Sequence, residues 1–251
     1  MGTSASSRGT NSSQPLVPAW ADDEPGKPLP KPEAQRFRSF RTAFGKAVAG
    51  GGDKDDLRKA LGHFARTATG GSAVGPRRFG NVYTAGGGLF SALRDIADGN
   101  AVPGLDPSEF VGRSTDYFAQ ALGRFLAGDT ADADRINAAV QEAVAAVLDL
   151  NETFDPALLT DDVISELLSE FLSQSVFQAI VEEAGGAWDR ADDEKKTADC
   201  EQALLDLVRV VVDKSLQQRL KGGSKGFTQT EIKDFMREAT TTAWSDWESY
   251  Q

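Results

Sequence analysis

Gly2, directly behind the initiator Met, is the position in this chain whose chemistry stands out. Glycine is small enough for that Met to be removed, which would leave a free α-amine on an unhindered carbon. Such an amine titrates near about 7.7–8.0, against about 10.4 for a lysine ammonium. Near neutral pH a substantial minority of it is therefore unprotonated and nucleophilic. The next residues, Thr3, Ser4, Ala5, Ser6 and Ser7, are all small. An unhindered glycine amine on so mobile a tether is a natural nucleophile or acceptor for another enzyme. Gly2 and Ser6 also satisfy the short M-G-x-x-x-[ST] acylation pattern. One myristoyl chain binds membranes only marginally without basic help, and the arm sets Asp22, Asp23 and Glu24 against Arg8, Lys27 and Lys31.

The other reactive side chains are sparse. His63 is the single histidine and Cys200 the single cysteine, which excludes a two-His metal site, an internal disulfide and a cysteine-based zinc cluster. A Cys200–His63 dyad is conceivable, but Cys200 shares a helical stretch with Ala198, Leu204, Leu205 and Val208 and reads as a buried, inert thiol. The acidic groups Asp161, Asp162, Glu166, Glu170 and Asp189, Asp192, Asp193, Glu194 sit at helix starts, where they complement the dipole. No G-x-x-x-x-G-K-[ST] occurs, and Gly222-Gly223-Ser224-Lys225 lacks the preceding glycine and strand of a phosphate loop. Arg77-Arg78-Phe79 is a better candidate. Two arginines beside an aromatic, set among Gly70, Gly71, Gly75 and Gly80, could hold a partner's carboxylate or phosphate, or pair with acids of the same chain. No catalytic residue, metal ligand or cofactor site is assigned, and the expectation is a non-enzyme.

The elements that must carry these residues are helical. Residues 1–35 are Ser/Gly-rich and then Pro-rich, a composition that points to a disordered arm. Leu16, Val17 and Trp20 interrupt it as a short apolar anchor for this protein or for a partner. From residue 36 onward Phe37, Phe40 and Phe44, with Arg36, Arg38 and Arg41 between them, mark a basic amphipathic helix that Gly50-Gly51-Gly52 ends. Asp53 caps the next, which carries Leu57, Leu61 and Phe64 to Gly70-Gly71. A third begins near Pro76 or Phe79, and Gly86-Gly87-Gly88 marks either a close crossing or a break. Further helices are expected at about 107–127, 131–150, 160–184, 196–221 and 228–248, with Thr160 as a cap and Thr228/Glu231 as a capping box. The fold class is all-α: a helical bundle over residues 36–251 preceded by the arm.

Charge divides that bundle. Residues 36–94 hold 11 Lys/Arg against three acids, net +8, whereas residues 95–251 hold 13 against 31, net −18. Either the basic part packs on the acidic part, or it keeps a surface for an anionic partner. Within the chain's total of −11, the acidic C-terminal part should repel nucleic acid, which disfavours direct nucleic-acid binding. No apolar run approaches a membrane span and no apolar leader is present, so a soluble, cytoplasmic protein is expected.

Met1-Gly2-Thr3-Ser4, Pro15-Leu16-Val17-Pro18-Ala19-Trp20, Asp56-Leu57-Arg58-Lys59-Ala60-Leu61-Gly62-His63-Phe64, Gly70-Gly71-Ser72-Ala73 and Arg77-Arg78-Phe79-Gly80 together resemble the QatB family of bacterial Qat anti-phage defence operons. The arm here is shorter than the family's proline tract and carries acids. The resemblance implies a bacterial defence component beside an ATPase (QatA-type), a QueC-like enzyme (QatC-type) and a TatD-like nuclease. QueC enzymes activate a 7-deazaguanine carboxylate with ATP for attack by ammonia, so the resemblance implies that the Gly2 amine takes ammonia's place, with Thr3, Ser4 and Ala5 threading the enzyme's cleft. Two other readings stay open. One is an unmodified scaffold joining the ATPase, enzyme and nuclease. The other is nucleic-acid sensing through Arg36, Arg38, Arg41, Arg77 and Arg78.

Overall fold

The computed structural model describes residues 11, 13–220 and 226–251. Their regular structure is eight α-helices: α1 (Arg38–Ala49), α2 (Lys54–His63), α3 (Gly80–Ala97), α4 (Thr115–Ala127), α5 (Ala133–Val147), α6 (Asp161–Ala184), α7 (Glu194–Leu220) and α8 (Gln229–Glu248). Among the described residues, the only β-type pairing is an isolated bridge between Ser114 and Thr153. The expected all-α class is what the chain adopts. No helix among these residues is long and apolar enough to cross a membrane.

The chain forms two compact units, and the divide falls inside α6, α7 and α8. One unit comprises Met1–Phe79, Val176–Val211 and Thr240–Gln251. Its core is a relay of aromatic rings. Phe40 lies 5.6 Å from Phe44 and 5.1 Å from Phe64, Phe44 meets Trp188 edge-on at 4.8 Å, and Trp244 stands 5.7 Å from Phe64 and 5.6 Å from Phe79. These are the centroid distances at which offset and edge-to-face ring pairs attract. The stripe Phe40, Ala43, Phe44, Ala47 and Val48 of α1 supplies one face, as its periodicity demands. Asp53 caps α2 by accepting from the amides of Asp55 and Asp56.

The other unit comprises Gly80–Ser175 and Val212–Ala239. Phe110, Phe118 and Phe154 cluster in it, the last two stacked at 3.9 Å. Residues 167–175 of α6 are buried without interruption, so that part of the helix has no solvent face. Thr228 and Glu231 form the expected reciprocal box at the start of α8, with Thr228 N–H donating to Glu231 Oε2 at 2.8 Å and Glu231 N–H to Thr228 Oγ1 at 3.2 Å. The expected glycine break at Gly222-Gly223 lies outside the described residues.

The structure corrects one sequence expectation and decides between two alternatives for another. The helix read from 107 begins at Thr115. Pro107–Glu109 form a separate 3-10 turn capped by Asp106, and Gly112 then takes φ +73°, a conformation no helix can pass through. Conversely, Gly86-Gly87-Gly88 do not break α3, which runs through them. They are a close crossing: a Cβ on Gly86 would run into the Met236 thioether, and one on Gly87 would stand 2.7 Å from the Gln229 carbonyl oxygen. Methionine can bend away; the backbone at the start of α8 cannot. Gly87→Ala should therefore destabilise the protein by about 1–3 kcal/mol, despite the roughly 1 kcal/mol that alanine gains over glycine inside a helix. Gly88→Ala, whose Cβ would stand 3.2 Å from the tip of Leu126, should be neutral or stabilising. Urea unfolding of the two variants checks this, and equal midpoints would contradict the crossing.

Candidate functional site

The proline-rich stretch that composition leaves without a reason to order is held on the first unit by three arginines. Arg77 grips Asp22 with both faces of its fork, Nε to Oδ1 at 2.9 Å and Nη2 to Oδ2 at 2.7 Å. The same Nη2 donates to the carbonyls of Glu24 at 2.8 Å and Lys27 at 2.9 Å. Both partners of the pair are buried, Arg77 6% and Asp22 8% exposed. Arg36 donates to the carbonyls of Gln14 at 2.7 Å and Pro15 at 3.1 Å, and Arg78 to that of Leu16 at 3.4 Å while pairing with Glu183 at 3.3 Å. Leu16 and Val17 pack between these contacts against Val74, with Leu29 beside them.

Local geometry prepares both sides of this contact. Asp22 accepts from the Glu24 amide at 3.0 Å, a turn that aims its carboxylate, and the Asp23 amide donates to the Arg77 carbonyl at 2.9 Å. On the receiving side, a π-type turn over Phe64–Ala68 ends α2, and Gly70 and Gly71 follow at φ +85° and +87°. Those angles favour glycine, and at Gly70 a Cβ would also stand 2.9 Å from Leu16 Cδ1. The chain then turns through Gly75–Phe79, which delivers Arg77 and Arg78 side by side.

The same loop holds the C-terminal helix. Trp244 Nε1 donates to Thr69 Oγ1 at 2.8 Å, and Glu248 accepts from Ser72 N–H at 2.8 Å and Ser72 Oγ at 3.0 Å. Gly75 lies so close under the Trp244 indole that no side chain fits there. Arg66 caps the helix end by donating to the Glu248 and Tyr250 carbonyls at 2.5 and 2.6 Å.

Electrostatics follow from these contacts. The Arg77 guanidinium holds the Asp22 carboxyl below its ordinary value, and Asp22 in turn raises Arg77. Burial, with Arg78 close by, lowers Arg36, and Glu183 opposes that shift. His63 is pushed down by burial and by Arg66 and Lys59. Burial lifts the Cys200 thiol to about 12, which leaves it protonated and unreactive at neutral pH. Among the described residues, no cluster of three His, Cys, Asp or Glu side chains is arranged to hold a metal ion.

Of the residues singled out from sequence, the structure brings Leu16, Val17, Arg77 and Arg78 together in one place, with Phe79 buried behind them against Trp244. Trp20 is half exposed on the same segment. Gly2, Thr3 and Ser4 lie outside the described residues. Asp22, Arg36, Glu183 and Glu248 were not singled out as parts of this site. Acids at Asp22–Glu24 in an otherwise proline-rich arm were the signal for the first of them.

A family model described as "Qat anti-phage system associated protein QatB" matches residues 70–247. The chain belongs to the QatB family. Comparison with curated proteins and with solved structures returns no match. The matched stretch opens on Gly70 and so contains the arm's receptor, Val74, Arg77 and Arg78, together with Trp244 of α8, whereas the arm itself precedes it. Membership makes the protein a component of an anti-phage defence system that works with other Qat components.

Two outcomes follow for the clamp. Arg77→Ala should speed hydrogen exchange at the amides of Ala21, Asp23 and Lys27. It should cost no more than about 3–5 kcal/mol of stability, the range for breaking a buried pair, because the arm can swing Asp22 into water. Unchanged exchange would mean that Leu16 and Val17 hold the arm alone. The pH dependence has a definite sign. A carboxylate whose folded pKa is depressed contributes stability above its ordinary value of 3.8 and loses it as pH falls through the lower folded value. Wild type should exceed Asp22→Asn in urea resistance at pH 7, and the two should converge below pH 3.8.

Proposed function

We propose that this protein is a non-catalytic subunit of a Qat defence complex, and that its Gly2 amine is the acceptor of a 7-deazaguanine acyl group delivered by a QueC-like partner. The observation that carries the reading is the docked arm. Three arginines fix residues 14–27 on the body, so the segment bearing Gly2 leaves from a set point beside Gln14. Covalent geometry limits the twelve Cα–Cα steps from Gly2 to Gln14 to a span of about 40 Å. An enzyme that docks near Asn11 and Gln14 therefore meets the amine within its own radius. In the transfer, the amine lone pair attacks the activated acyl carbon and an amide N–C bond forms. The leaving group that ATP supplied departs, and one amine proton is lost to solvent. The basic Arg77–Arg78 pair is engaged by Asp22 and Glu183, which favours a structural role for it over a landing site for nucleic acid.

The test is the mass of the N-terminal peptide from protein made with and without the QueC-like partner. A partner-dependent adduct on Gly2, absent from Gly2→Pro, is expected. An unmodified Gly2 in an operon that still protects cells would overturn the reading and leave the scaffold role.

A further inference from the structure

The arginines that clamp the arm account for only part of the basic charge in residues 36–94. Another part gathers on the outer side of α1, within the first unit. Arg38, Arg41 and Lys46 from α1 and Arg190 from the turn after α6 surround an open cavity of about 660 Å³, floored by Gly45, Gly186 and Ala187 and edged by Thr42. Among the described residues, no carboxylate lines it. The acids around it are Asp189, exposed beside Gly186, Asp56 on α2, which pairs with Lys46 at 2.7 Å from the opposite flank, and Glu183, whose charge acts on Arg41.

The cavity is built rather than incidental. Gly45 lets the stem of Arg190 lie directly on α1, since a Cβ there would stand 3.0 Å from Arg190 Cγ. Arg41 is fixed by its Nε donating to the Glu183 carbonyl at 2.8 Å and by stacking over Phe37 at 4.9 Å. Arg38 and Lys46 stand about 12 Å apart along the helix axis. Arg38, Arg41 and Arg190 thus line one volume from two elements, with Lys46 at its edge held by Asp56, and that volume is within the size range of small-ligand sites.

We infer that this cavity binds a small oligophosphate, recognised through its phosphates alone. Fork-shaped guanidinium groups suit phosphate oxygens. The lining offers no aromatic ring on which a base could stack, so single-stranded nucleic acid lacks its usual platform. It also offers no large apolar side chain to anchor a protein segment. Long-range charge separates the classes further. A chain of net −11 repels an extended polyanion, whereas a compact anion inside the cleft feels chiefly the charges within a Debye length of about 8 Å.

The probes are inorganic triphosphate, pyrophosphate and orthophosphate, titrated calorimetrically into the full-length protein at physiological salt. Affinity should rise with phosphate number. Arg38→Gln and Arg190→Gln should each weaken triphosphate binding about tenfold, the loss of one charge-assisted contact. Thr42→Glu, which sets a carboxylate at the exposed rim of an otherwise unaltered helix, should abolish it. Arg124→Gln, an exposed residue of α4, should leave it unchanged. ATP should bind no more tightly than inorganic triphosphate. Triphosphate binding that matches orthophosphate, or that survives Thr42→Glu, would overturn the inference. So would tighter binding of an acidic peptide or an oligonucleotide at the same variants.

Discussion

A buried ion pair between Arg77 and Asp22 decides where the N-terminal segment of this protein goes, and the local backbone is arranged around it. Taking two charges out of water is expensive, and the cost is recovered only when geometry is good and the remaining donors find acceptors. Here the fork is bidentate and its Nη2 is shared with the Glu24 and Lys27 carbonyls, so one guanidinium fixes three points of a single segment. Pro15, Pro18, Pro25 and Pro28 lower the opposing entropy, because proline has already given up much of its backbone freedom in the unfolded chain. A composition that cannot bury enough apolar surface to order itself is thus ordered by polar contacts to its carbonyls, with only Leu16 and Val17 as apolar anchors.

The receiver of that segment is also the seat of the C-terminal helix. Residues 69–79 touch the arm through Val74, Arg77 and Arg78 and touch α8 through Thr69, Ser72 and Gly75. Gly70 and Gly71 are needed for backbone angles and Gly75 for the space under Trp244, so the glycine richness of the loop serves packing rather than phosphate binding. The family match opens at this loop and runs through Trp247. It therefore encloses both the arginine pair and the helix that braces it.

Much of the fold was legible because its signals are local. The Phe37–Phe40–Phe44 spacing, the Asp53 cap and the Thr228–Glu231 box each depend on residues within one or two turns, and each stands where the sequence put it. The start of α4 was misread because Asp106-Pro107 gives a genuine helix-start signal that Gly112 then cancels. The site was half legible. Arg77 and Arg78 were recognisable as anion holders, but what they hold was not, since Asp22 lies 55 residues from Arg77 and only tertiary structure pairs them. Arg36 was legible as helix charge and not as an arm clamp, because its acceptors are main-chain carbonyls that carry no side-chain signature.

The charge split resolves into separate uses of the same residue type. Arg77 and Arg78 are buried and answer acids of the chain itself, Arg36 is buried on carbonyls, and Arg94 answers Asp161 in the other unit. Desolvation makes each of these arginines depend on its partner, so each specifies a contact rather than a field. Arg38 and Arg190 are exposed and stand in a cleft lined by no acid. Their charge meets no carboxylate in the lining of that cleft and is expressed outward, within a Debye length, on a molecule whose net charge has the opposite sign. A basic segment in an acidic protein therefore supplies two things at once: internal ties that position the N-terminal arm, and a short-range cationic hollow on α1.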